Sequence, residues 1–212
     1  MRTLAKQMGL IKCFGVSATE EALNTVLYET VRNSHEHARR DYPSFRGVVF
    51  RKLIFSNVED LEGRSSLPTE LKGYIRRIWK SFPQHKHMFA SFAIADVGPG
   101  IHNTLPSKAG EAAWSRLNRA FNPGESRKPS GALSSGEGLP GVISAARRLG
   151  AFLFVQSAEL AGYRDFTLAE GEETLSPLVE GVPNTLGTSI TILWPMFEDD
   201  IDQPSLFDPG DY

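Results

Sequence analysis

Cysteine occurs once in this 212-residue chain, at Cys13, so no internal disulfide can form and a reducing cytosol suits the protein. Cys13 itself reads as a small apolar residue near the N-terminus. Long apolar runs are also missing. None approaches the ~20 residues that a membrane-spanning helix needs, and Lys12 interrupts the N-terminal apolar stretch, which argues against a secretory signal. Neither sign of charge dominates: 23 Lys and Arg face 25 Asp and Glu, a net charge of −2 that gives no strong nucleic-acid signal and no membrane surface. There is no internal repeat and no zinc-ligand spacing. His35 and His37 flank Glu36 without further ligands nearby. A Gly-x-x-x-x-Gly-Lys-Ser/Thr loop is absent, which excludes a P-loop site. These absences leave a soluble, cytoplasmic protein as the expectation.

What is present is ordinary in bulk and unusual in places. With 41% hydrophobic and 23% charged residues, the chain suits one globular domain with a substantial core. Residues 1–16 are too mixed to assign beyond a short helix and strand. Ser17-Ala-Thr-Glu20 reads as a capping box opening a helix to about Arg39, with Leu23, Val26, Leu27, Val31 and Ala38 as its buried stripe. A strand follows over Val48–Phe55, then a polar, turn-like stretch to Ser66. A helix comes next, from Leu67 or Pro68 to about Phe82, burying Leu71, Ile75, Ile78 and Trp79. Gly138 opens another helix with Pro140 in its first turn and Gly150 as its C-cap. Strands are predicted over Phe89–Ala95, Ala151–Ser157, Tyr163–Ala169 and Thr188–Trp194. The consecutive C-terminal strands argue for an α+β fold with a mixed, mainly antiparallel sheet rather than a parallel doubly wound one. The tail beyond Pro195, with Glu198-Asp-Asp-Ile-Asp, is acidic and reads as disordered.

Three stretches carry chemistry. The apolar strand ending at Ala95 runs into Asp96-Val-Gly98-Pro-Gly100-Ile101. A carboxylate there accepts hydrogen bonds only, so it suits the amino group of adenine and repels the carbonyl of guanine. The glycines let a flat ligand approach the backbone. On the first helix Glu29, Asn33 and His37 are spaced by four and form one ridge beside the apolar stripe. Downstream, Ser135-Gly136-Glu137-Gly138-Leu139 precedes a helix whose backbone N–H groups and positive end can hold phosphate without a lysine. The segment 102–135 is polar, helical near Glu111–Ala120, then rich in Gly, Ser and Pro, and reads as mobile.

Taken in order with Gly187-Thr188, these stretches resemble the boxes of the GHKL ATP-binding superfamily of gyrase, heat-shock chaperones, histidine kinases and MutL. The resemblance spans roughly Ser17 to Pro195. It implies the Bergerat fold, a two-layer α/β sandwich with helices packed on one face of the sheet, in a single domain over 1–195. Residues 41–88 are then an extra strand and helix, 102–135 an ATP lid with Arg127 and Lys128 near the phosphates, and 196–212 the tail. It implies ATP and Mg²⁺ as ligands. Glu29 would be the base that activates water, Asn33 the Mg²⁺ ligand, His37 a γ-phosphate neighbour, and Thr188 a group near Asp96 or adenine. Asp96, Gly98, Gly100, Ile101 and residues 135–139 would line the nucleotide site. Glu36 stands where the kinases often carry Lys, so phosphate contact from that end of the helix departs from the pattern.

Three functions fit such a pocket. They are an ATPase whose lid switches a protein partner or a homodimer, a protein kinase acting on a partner in trans, and a binding module that never turns over. No histidine precedes His35, which excludes autophosphorylation on a preceding helix pair. The chain also ends before the domain that supplies a lysine in gyrase-like enzymes. The expected protein is thus a nucleotide-binding domain that either stands alone and needs another chain or was cut from a longer one.

Overall fold

The computed structural model describes residues 17–37, 45–83, 88–122, 138–168, 175–178 and 186–196. The expectations for the first 16 residues, Arg127, Lys128, the triplet Ser135-Gly136-Glu137 and the acidic tail lie outside these residues, as does the side chain of His37. Among the described residues, no helix is long and apolar enough to cross a membrane.

The elements run α1 (Ser17–His37), β1 (Arg46–Ile54), α2 (Val58–Gly63), α3 (Thr69–Ser81), β2 (Met88–Asp96), α4 (Ile101–Thr104), α5 (Ala113–Arg119), α6 (Gly138–Arg148), β3 (Phe152–Ser157), β4 (Leu160–Asp165), β5 (Ser176–Pro177) and β6 (Thr188–Met196). The strands form one sheet in the order β1-β2-β6-β3-β4-β5. The α+β class holds, but the sheet is not mixed: every pairing among the described residues is antiparallel. β2 and β3 run in the same direction, but β6 lies between them antiparallel to both, so no parallel neighbour arises.

The expectation of helices on one face also needs correction. Side chains alternate across a strand, and in β2 Met88, Ala90, Phe92 and Ile94 join one buried cluster while Phe89 joins another. The first cluster packs α1, α5 and α6 against the sheet, with Val26, Leu117, Val142 and Ala146 at its centre. The second lies on the opposite face, where α2 and α3 bring Leu61, Tyr74, Ile75 and Trp79 onto Phe89, Phe152 and Leu193. The sheet is therefore sandwiched between helices. Tyr74 and Trp79 are the physical reason: rings of that size bury apolar area only by lying on another apolar surface, and the sheet's second face offers Phe89 and Phe152, 6.2 and 5.6 Å from the Tyr74 ring.

Several boundaries moved for local reasons. The polar stretch after β1 holds the helix α2, because Asn57 caps it by accepting from the Asp60 N–H at 2.8 Å and Leu61 is fully buried. β4 begins at Leu160 rather than Tyr163, since Ser157 pairs with Leu160 across a two-residue turn in which Ala158 adopts φ 50°. It ends at Asp165, whose Oδ1 accepts from the Thr167 N–H at 2.8 Å and turns the chain. In α1 the stripe of Leu23, Val26 and Leu27 continues through Thr30 and Ser34, whose hydroxyls donate back to the carbonyls of Val26 and Val31 at 2.6 and 2.8 Å. α6 ends near Gly150, which takes φ 56°.

Residues 102–122, the first part of the expected lid, are anchored rather than loose. Leu117, Ala120 and Phe121 sit in the first core cluster. Arg119 donates to both carboxylate oxygens of Glu111, at 2.7 and 2.9 Å, and holds that carboxyl down at about 2.

Candidate nucleotide site

Asp96 ends β2 on the face that carries α1 and α6, since it continues the alternation of Phe92 and Ile94. Its strand partner is Thr188 of β6, and Thr188 in turn pairs with Ser157 of β3. Asp96, Thr188 and Ser157 thus form a polar row across three strands at one end of the sheet. The Asp96 carboxylate is held by backbone: Oδ1 accepts from the N–H of Gly98 at 2.8 Å and from that of Thr188 at 3.2 Å. Gly187, just before Thr188, makes this possible. It takes φ 85°, and a Cβ there would lie 1.9 Å from the Asp96 carbonyl oxygen, so only glycine fits.

Gly100 also takes a positive φ, 87°, and lies against the next strand pair. A Cβ at Gly100 would meet Ser157 Oγ at 3.0 Å and Ala158 at 3.5 Å. Ile101 and Leu139 are partly buried and pack on the first cluster, which makes them apolar wall rather than polar contact.

The second half of the site lies between α1 and α6. α6 packs along α1 with a glycine at the closest approach: a Cβ on Gly138 would sit 3.0 Å from both Asn33 amide atoms and 3.3 Å from Glu29 Oε2. A Cβ on Gly141 would meet Thr25 Cγ2 at 3.7 Å and Glu29 Cγ at 3.9 Å, an ordinary contact. The Glu29–Asn33 ridge and the start of α6, far apart in sequence, are therefore joined, and the Asp96 loop leaves the sheet on the same face. Glu29 Oε2 and Asn33 Nδ2 are buried and have no hydrogen-bond partner among the described residues. Arg32 lies 3.8 Å from Glu29 Oε2 and is shared with Glu36 at 3.1 Å. The far end of α1 is tied to β1 by Arg46 Nη1 and His35 Nδ1, 3.0 Å apart.

No protein-family model matches this chain, and neither does any curated protein. The site's chemistry rests on its own geometry.

Two polar residues of this region escaped sequence reasoning, His102 and Ser157. Both are buried, and His102 Nδ1 lies 3.0 Å from Ser157 Oγ. Nothing in the sequence pairs two residues so far apart. The alternation of Leu153 and Val155 did place Ser157 on the core face, where a lone hydroxyl needs a partner. Burial pushes the His102 imidazole below its ordinary range, with Glu159 pulling it back up and Arg116 adding to the fall.

Proposed function

We propose that this chain is an ATP-binding module of the GHKL kind, a Mg²⁺-dependent ATPase whose phosphate end lies between α1 and the start of α6. The observation that carries the reading is a pair of buried polar atoms against Gly138, Glu29 Oε2 and Asn33 Nδ2, that have no hydrogen-bond partner among the described residues. Leaving a buried polar group unsatisfied costs about 1–3 kcal/mol. Such groups persist where a ligand completes them. An anion is favoured at that spot by the positive end of α6.

The residues present suit the ligands. Among the described residues, no cluster of three His, Cys, Asp or Glu could hold a metal alone. The amide oxygen of Asn33 therefore suits Mg²⁺, which keeps most of its waters and takes few protein ligands. The ion supplies charge neutralisation to the phosphate oxygens when bound. Asp96, fixed through Oδ1, accepts from an adenine amino group. Glu29 accepts the proton of the water whose oxygen attacks the terminal phosphorus, while the P–O bond to ADP breaks and phosphate leaves. Of its two carboxylate oxygens Oε2 is buried, toward Gly138.

The test uses ATP labelled on the γ-phosphate, with free phosphate and labelled protein followed together. Free phosphate supports hydrolysis. Label on a second protein moves the assignment to a kinase, and binding without either leaves a nucleotide-dependent binding module. Asp96→Asn should weaken binding at least tenfold, since a hydrogen bond to a charged group is worth ~1.5–3 kcal/mol. Unchanged affinity by calorimetry overturns the adenine contact.

A further inference from the structure

The loop from Asp96 to His102 is fixed at both ends. At its start, Asp96 Oδ1 accepts from Gly98 and Thr188. At its end, His102 reaches Ser157 of β3 with Nδ1 at 3.0 Å and Glu159 of the β3–β4 turn with Nε2 at 3.4 Å. The two ends are joined behind the loop. Ala158, which follows Ser157, donates its N–H to the Gly187 carbonyl at 2.9 Å, and Gly187 precedes the Thr188 that holds Asp96. Gly100 lies inside this ring of contacts, 3.0 Å from Ser157 Oγ by the position of its missing Cβ.

We propose that His102 is a positioning residue for the nucleotide site, setting the Asp96–Gly100 loop against β3 through Ser157 and so tuning nucleotide affinity. The proposal rests on the ATP-binding reading of that loop. Glu159 is an acceptor, so Nε2–H points to it and Nδ1 is left to accept from the Ser157 hydroxyl. The charged groups facing His102 are Glu159 from the turn and Arg116 from α5, whose Nη1 donates to the His102 carbonyl at 3.4 Å. Ser157, on β3, is neutral. A proton on Nδ1 reverses the bond rather than breaking it, since the Ser157 oxygen also accepts. The contact itself, not its charge, sets the loop against β3.

His102→Asn tests the clamp, because its amide oxygen can replace Nδ1 as acceptor from Ser157. Affinity for a non-hydrolysable ATP analogue is measured at pH 7.5. Wild type and His102→Asn should agree within about twofold, and His102→Phe or Ser157→Ala should be about three- to tenfold weaker, the scale of one hydrogen bond. A folded His102→Asn as weak as His102→Phe overturns the proposal, as does full affinity in a folded Ser157→Ala. If wild type binds no nucleotide, the ATP reading fails and the clamp is judged by amide hydrogen exchange over residues 98–102. Faster exchange in Ser157→Ala than in His102→Asn supports it, and equal exchange removes it.

Discussion

The two faces of the sheet solve different problems with the same alternating strands. On the α3 face, large rings close on one another: Phe55 meets Phe89 edge-on at 5.9 Å and Phe152 stacks on Tyr163 at 5.5 Å. The buried acid on that side, Asp165, is ion-paired with Arg77 and accepts from Thr167. On the α1 and α6 face, the apolar core gives way at one end of the sheet to Asp96, Thr188 and Ser157. There α1 carries Glu29 and Asn33 with atoms left unsatisfied, and glycines stand at the closest approaches. The buried acid of one face is tied into the fold. On the proposed reading, the acid and amide of the other are held for a ligand at some cost to stability.

The sharpest way to break this contrast is Glu29→Ala. Phosphate release should fall by about 10²–10⁴, with nucleotide affinity nearly kept. The melting temperature should hold or rise, because a buried carboxylate oxygen without a partner is removed. Asn33→Ala should lose Mg²⁺-dependent affinity as well. A melting temperature several degrees lower for Glu29→Ala would mean that this face, too, is built for the fold.

On the opposite face the expectation reverses. Phe89 is fully buried, so Phe89→Ala should cost about 3–5 kcal/mol by denaturant titration. Nucleotide affinity per folded molecule should stay unchanged. If affinity drops in protein that is still folded, the second face is coupled to the site and the division fails.

The smallest effect concerns one hydroxyl. Tyr74 donates to the Gly150 carbonyl at 2.9 Å, at the turn between α6 and β3, and burial raises its pKa far above the tyrosine range. Tyr74→Phe should cost about 1 kcal/mol, read as a fall of roughly 2–4 °C in melting temperature. No loss at all would show that the rings hold α3 without help from that bond.

Much of this molecule was legible from local pattern. The period of four along Glu29, Asn33 and His37, the helix opening at Gly138 and the buried strand ending at Asp96 all depend on neighbours in sequence, and each stands within a residue or two of its expected place. Readings that needed distant partners fared worse. Residues 56–66 looked like a turn because the helix α2 is nucleated by a cap and a single leucine that is buried only in the company of α3. Val31 packs partly buried against the first cluster, as the stripe implied, but the burial of Thr30 and Ser34 beside it was not expected; back-bonding to the helix satisfies their hydroxyls.

What the sequence determined alone was a set of residue types with the right periods: a carboxylate and an amide one helical turn apart, a strand that stops at an acid, and glycines where a backbone must pass close. Those properties live in dihedral preference and side-chain chemistry and need no fold to read. Tertiary structure alone decided which surfaces those residues meet. It put helices on both faces of the sheet, set Gly187 against the Asp96 carbonyl and brought His102 onto Ser157. The reason is physical. Register and packing are selected by the summed burial of the whole sheet, and a contact between segments far apart in sequence leaves no mark in the period of either one.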